Sequence, residues 1–228
     1  MRANPYDDAD AAYQRAVQED PWVMYLIARR ERGTSVWMEQ LLSAAAQATV
    51  TLLSDPRAAD EWADPIEQWS KVSFRKVALR ARGARWENAQ EVPGITGTFG
   101  DVQVRALVPM PRSDRPRVVQ QCQAMNDTVE WRTEVFRQDT KKLFLSPHAD
   151  MSSGKAMAQV GHAAEMLRQA LPAAERDRWT NAGFPVQAVR SDQAHWQALL
   201  GRDDVVAVRD AGLTEVDPGT VTVAAVVS

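Results

Sequence analysis

Lys155, Gln159 and His162 stand in the run Gly154-Lys155-Ala156-Met157-Ala158-Gln159-Val160-Gly161-His162-Ala163. On an α-helix they fall at i, i+4 and i+7 and point the same way. A second run, Asp210-Ala211-Gly212-Leu213-Thr214, is followed by Pro218-Gly219-Thr220 and Thr222-Val223. An ammonium, an amide and an imidazole on one stripe, met by the carboxylate of Asp210 and the hydroxyl of Thr214, suit hydrolysis of a polar bond without a metal. A second reading is open at this point. The first run also fits an amphipathic helix that buries Ala156, Val160, Ala163, Ala164 and Leu167 and turns the Lys/Gln/His stripe to water. Ala158 and Gly161 flank that stripe, where a solvated helix usually carries long charged side chains, and small residues there admit a close neighbour.

Other chemistries lack their residues. A phosphate-binding loop needs glycine and a hydroxyl where this chain has Ala149 and Ala156. The three histidines, His148, His162 and His195, have no metal-site spacing, and the single cysteine, Cys122, cannot build a zinc site or an internal disulfide. There is no Gly-x-Ser-x-Gly elbow and no glycine-rich dinucleotide loop, so no cofactor is expected. The 228 residues carry a net charge of −3, have a polar, acidic start and contain no apolar run of membrane-spanning length, which leads us to expect a soluble cytoplasmic protein that does not bind DNA. Cations are nonetheless clustered. Lys71, Arg75, Lys76, Arg80, Arg82 and Arg85 follow one another without an acid, a candidate patch for a polyanion, or else the wet side of a strand.

The chain repeats itself. Trp69, Phe74, Ala78, Arg80, Ala84 and Trp86 recur 110 positions later as Trp179, Phe184, Ala188, Arg190, Ala194 and Trp196. With a small shift, Ala46-Gln47 lies over Ala158-Gln159, which puts Ser43 at the lysine position and Val50 at the histidine position. Two diverged copies of one unit are therefore expected, with polar site groups in the second alone. The four tryptophans of the repeat read as packing residues.

Alternating periodicities predict a strand over 23–29, a helix over 35–54 ended by Asp55-Pro56, a strand over 74–80, a short helix over 84–90 and a strand over 102–108. The second half predicts a strand at 143–145 and a long helix capped by Ser152 or Ser153. Helices over 173–181 and 192–200 and strands over 185–190, 204–209 and 220–227 follow. Such alternation is the pattern of an α/β fold with helices on both faces of a sheet. The boundaries expected are an acidic N-terminal helix within 1–20, a first copy over 21–109, a linker over 110–140 and a second copy over 141–228.

The two blocks together, Gly154-Lys155-x-x-Ala158-Gln159-x-x-His162-Ala163 and Asp210-Ala211-Gly212-x-Thr214 with Pro218-Gly219-Thr220-x-Thr222-Val223, resemble the type-2 peptidyl-tRNA hydrolases. The resemblance covers about residues 141–228. It implies a four-stranded mixed sheet between helices, no metal, and hydrolysis of the ester between a peptide and the 3′ end of tRNA. It also implies dimerisation, so a tandem pair would be either a monomeric pseudo-dimer of two three-layer units or a homodimer of such chains. The chain departs from the family pattern in two places. His148-Ala149 stands where the family has an Asp-Leu pair, and Leu213 replaces an arginine. A non-catalytic module that binds tRNA or protein, built on a decayed hydrolase, is the alternative.

Overall fold

The apolar run Trp22–Arg29 forms β1, a strand buried on both sides with no alternation along its interior, as expected of a central strand covered on two faces. It pairs in parallel with β2 (Lys76–Ala81) and antiparallel with β4 (Val102–Leu107), which in turn pairs with β3 (Gly94–Phe99). The computed structural model describes residues 21–72, 74–132, 138–212 and 214–227. The acidic helix expected within 1–20, and Leu213, lie outside the described residues.

In the second half, β7 (Lys141–Leu145) pairs in parallel with β8 (Val186–Arg190) and antiparallel with β10 (Val221–Val226). The last of these pairs with β9 (Val205–Arg209). The order β8-β7-β10-β9 thus matches β2-β1-β4-β3 in sequence of strands and in their directions. Finer details coincide as well. The Trp69 indole donates to Arg75 O at 2.8 Å and the Trp179 indole to Pro185 O at 3.0 Å. Phe74 and Phe184 both adopt positive φ, 49° and 57°, and each sets its ring edge-on against the tryptophan five residues earlier.

The first sheet has six strands, not the four expected. Two come from the segment read as a linker: β5 (Met110–Pro111) pairs with β1, and β6 (Gln123–Ala124) covers the outer edge of β2. An open edge exposes unpaired N–H and C=O groups, and the crossing chain satisfies them.

The helices fill the remaining layers. α1 (Met38–Ser54) ends where Asp55, constrained by Pro56, turns extended. After a 3-10 turn come α2 (Ala63–Val72), α3 (Ala84–Gln90) and α4 (Arg117–Gln120). α5 (Ser153–Ala170), α6 (Ala173–Asn181) and α7 (Gln193–Leu200) follow. α3 and α4 cover the outer face of the first sheet through Trp86, Ala89 and Val119. α7 covers the outer face of the second through Trp196 and Leu199. Between the sheets, α1 and α5 pack on each other, and one continuous core joins Met24 and Leu26 of β1 to Leu143 and Leu145 of β7. The inner helical layer is therefore shared, which two separate three-layer units would not have. Contacts are reciprocal: α1 reaches β8 of the second sheet and α5 reaches β2 of the first. No helix among the described residues is long and apolar enough to cross a membrane.

Candidate active site

Ser152 caps α5: its hydroxyl accepts from the Lys155 N–H at 3.2 Å and donates to Glu215 Oε1 at 2.8 Å. The Ser152 N–H donates to Glu215 Oε2 at 2.7 Å, so one carboxylate ties the loop after β9 to the helix start. The first turn also packs tightly against the crossing chain, because a Cβ on Gly154 would run into the Met125 carbonyl.

That capped turn projects Lys155 toward Asp210, the first residue after β9. Lys155 Nζ lies 2.5 Å from Asp210 Oδ2 and donates to Thr214 Oγ1 at 3.0 Å. One turn on, Gln159 Nε2 donates to the same Asp210 Oδ2 at 2.8 Å. The third donor is backbone: Gly212 N–H to Asp210 Oδ1 at 2.8 Å. Gly212 has φ 73°, and a Cβ there would collide with Pro218, so the turn requires glycine. Thr222, fully buried on β10, donates to Gln159 Oε1 at 2.6 Å and thereby fixes which end of the amide faces Asp210. Lys155, Gln159, Asp210 and Thr214 are thus brought together on the wall of a cavity of about 260 Å³.

His162 lines the same cavity but bonds elsewhere. Its Nδ1 stands 3.0 Å from Lys76 Nζ, and Lys76 also donates to Glu165 Oε2 at 2.9 Å. The Lys76 side chain is fully buried and its ammonium sits over the Trp69 ring, 4.6 Å from the centroid. Burial draws the Lys76 pKa below the ordinary lysine value against the opposing pull of Glu165. The imidazole is held well below the usual histidine range by burial, then by the positive charges of Lys76 and Lys155. An ammonium has only donors, so Nδ1 accepts and the neutral ring carries its proton on Nε2.

Residues 135–227 match the family model of peptidyl-tRNA hydrolase PTH2.

The PTH2 match takes in the second sheet, α5 and both motif blocks, and it begins beyond β6. Neither the curated proteins nor the solved structures provide a match to this chain. Part of the cavity wall lies outside the PTH2 segment: Arg75, Lys76, Ala78, Met125 and Asn126 come from the first sheet and the crossing chain. Sequence reasoning missed Lys76, Arg75, Glu165, Glu215 and Thr222 as site neighbours. Thr222 stood inside a quoted motif. Lys76 left one signal, a charge on a strand beside apolar residues, and was grouped with the surface cations instead.

The cationic run does not form one patch. Lys71 pairs with Glu67 at 2.9 Å on the surface of α2, Lys76 is buried, and Arg75 lines the main cavity, where burial lowers its pKa. Arg80 stands 3.4 Å from Asp127. Arg75 and Lys76 line the main cavity, whereas Arg80, Arg82 and Arg85 share a separate cleft with Arg30 and Arg32. The reason is alternation along β2, which sends Lys76 and Ala78 inward before the strand end reaches solvent. The four repeat tryptophans, Trp69, Trp86, Trp179 and Trp196, are all buried. His148 lies in the turn between β7 and α5, where its N–H bonds Ser146 Oγ at 3.2 Å. Among the described residues, no three His, Cys, Asp or Glu side chains gather as metal ligands would.

Proposed function

We propose that the cavity hydrolyses the ester between a peptide, or an N-blocked amino acid, and the 3′ end of tRNA, using protein groups alone. The observation that carries this reading is the convergence of Lys155, Gln159, Thr214 and Asp210 on one cavity wall. A carboxylate offers about four acceptor positions. Lys155, Gln159 and Gly212 occupy three on Asp210, and the remaining one on Oδ1 is suited to hold a water. That water attacks the ester carbon and gives its proton to Asp210, and the carbonyl electron pair moves onto oxygen. Lys155 has a third N–H beyond those directed to Asp210 and Thr214, and the Thr214 hydroxyl, already accepting from Lys155, is left to donate. Both can meet the oxyanion. Its collapse breaks the bond to the ribose 3′ oxygen, which leaves with the proton returned from Asp210. His162, with Nδ1 engaged by Lys76, serves as a neutral N–H donor or wall residue and not as the base.

The shared strand order and the paired Trp–Phe geometry support a further reading, that 21–109 and 141–228 are diverged copies facing each other as a pseudo-dimer, joined by 110–140. The rival function, a non-catalytic binding module, takes the 2.5 Å Lys155–Asp210 pair as a clasp between helix and loop. Labelled N-acetyl-aminoacyl-tRNA separates the two. Release of the amino acid, reduced roughly 10²–10⁴-fold by Asp210→Asn, is expected of general-base catalysis; tight binding with no release would sustain the module.

A further inference from the structure

We propose that the arginine-lined cleft on the first half binds phosphate groups of an RNA backbone, a role that rests on reading the substrate of the main cavity as an RNA ester. The cleft, about 290 Å³, opens past the carboxyl ends of the parallel neighbours β1 and β2. In open α/β sheets that crevice is where ligands are held. Arg30 and Arg32 enter it just after β1, Arg80 and Arg82 at and after the end of β2, and Arg85 from the first turn of α3.

The charge there is poorly balanced. Glu31 is the one acid on the lining; it accepts from Gly83 N–H at 3.1 Å and Arg29 Nε at 3.2 Å, and the charge of Arg82 also reaches it. Asp127 answers Arg80 at 3.4 Å and Arg30 at 3.6 Å. Arg32, Arg82 and Arg85 are exposed, with no carboxylate at ion-pair distance among the described residues. Arg30 Nη1 is buried without an acceptor. A forked guanidinium group matches phosphate oxygens in geometry as well as charge.

The second sheet provides an internal comparison. Leu145 pairs with Arg190 as Ala28 pairs with Arg80, so Arg30 and Arg32 correspond to Pro147 and Ala149. The 110-residue offset places Asp192 and His195 at Arg82 and Arg85. There Asp192 caps α7 by accepting from His195 N–H at 2.8 Å, whereas α3 begins at Gly83 with no side-chain cap. The first half thus carries arginines at four positions where the second carries none.

Position ties the cleft to the cavity. Asp127 takes Arg80 from the cleft side and, at 3.0 Å, the hydroxyl of Ser153 from the turn that carries Lys155. Along the crossing chain, Gln123 lines the cleft while Ala124, Met125 and Asn126 line the cavity. An RNA strand whose 3′ end enters the cavity meets the arginines with its preceding phosphates.

The test uses the full chain and a fluorescein-labelled, deacylated acceptor-stem RNA hairpin, with affinity read by anisotropy from about 50 to 200 mM salt, a range over which phosphate contacts weaken steeply. Replacing Arg82 and Arg85 together by Gln is expected to weaken binding about tenfold at low salt. It should also flatten the log–log salt slope by about 1.5, from roughly 0.7–0.9 per phosphate contact. Both residues are exposed, and a circular-dichroism melt confirms folding. Lys71→Gln, on the surface of α2, is the matched control. Unchanged affinity and slope in the double variant overturn the proposal, as does a wild-type protein that binds polyglutamate but not the hairpin. Cleft-dependent binding without ester release upholds the phosphate site and removes the hydrolase reading. Ester release with binding indifferent to Arg82 and Arg85 does the reverse.

Discussion

Lys76 Nζ, carried by β2 of the first half, lies 3.0 Å from His162 Nδ1 on α5 of the second half and 2.9 Å from Glu165 Oε2. A fully buried ammonium is tolerable only because that carboxylate answers it. Removing one partner strands the other, so Lys76→Met should lower unfolding stability by about 3–5 kcal/mol. Lys76→Met with Glu165→Gln should recover much of the loss, since neither site then holds an unpaired charge. Urea titrations of the wild type, both single variants and the double close the cycle; a double variant as unstable as the sum of the singles would remove the pair from the account.

The same contact sets a pH dependence. The folded His162 pKa is depressed by burial, Lys76 and Lys155, with Glu165 the one acid facing the group from α5. In the unfolded chain the ring titrates near about 6.5. Between the two values the unfolded state binds the extra proton, so stability rises with pH there. Its contribution is present above pH about 6.5 and falls away as the pH drops below it. His162→Gln keeps an acceptor for Lys76 but cannot titrate. The variant's melting temperature should therefore fall less than that of the wild type between about pH 6.5 and 5.

Within the cavity, Lys155 and Thr222 separate electrostatics from positioning. Lys155→Met removes the charged donor and should reduce ester release roughly 10²–10³-fold, the range for loss of one oxyanion donor. Thr222→Val leaves Gln159 Oε1 without its 2.6 Å donor. An unsatisfied buried acceptor costs about 1–3 kcal/mol, and with the amide free to turn, kcat should fall while KM holds. A Thr222→Ser variant, which restores the hydroxyl, should recover kcat.

How far the sequence reached depends on where each signal was stored. The stripe Lys155–Gln159–His162 and the block around Asp210 were local patterns, legible from helix period and turn residues. Most strands of both halves were legible from alternation, and the Trp–Phe repeat related one half to the other; the strand order came only with the structure. β3 was not read as a strand because Gly94 and Gly97 dilute its propensity; Gly97 is there because Ala44 O of α1 would stand 2.5 Å from any Cβ. α2 was hidden by Asp64-Pro65, although proline is tolerated in a first helical turn. Lys76 was misplaced for a deeper reason. Its burial is created by α5 docking from the other half, a contact that no window of residues encodes.

That docking depends on two glycines, and they should respond differently. A Cβ at Gly161 would meet Lys76 Cδ at 3.0 Å and Thr49 Oγ1 at 3.1 Å. Lys76 is pinned by its two partners, and Thr49 is bonded to Ala45 O at 2.9 Å, so neither gives way freely. Helix propensity favours alanine by about 1 kcal/mol, against about 1–3 kcal/mol for overpacking. Gly161→Ala should therefore be mildly destabilising. At Gly154 the obstacle is the Met125 carbonyl, closer still and part of the backbone. Met125 N–H is bonded to Ala78 O, and Asp127 O accepts from Ser153 N–H at 2.9 Å, so the segment cannot retreat without breaking its attachment to β2 or to α5. Gly154→Ala should lose more stability than Gly161→Ala. It should also lose more ester release than stability alone explains, because the forced shift moves Lys155 against Asp210. Equal losses in the two variants, by denaturant titration and by release assay, would mean that the α5 start does not depend on this contact.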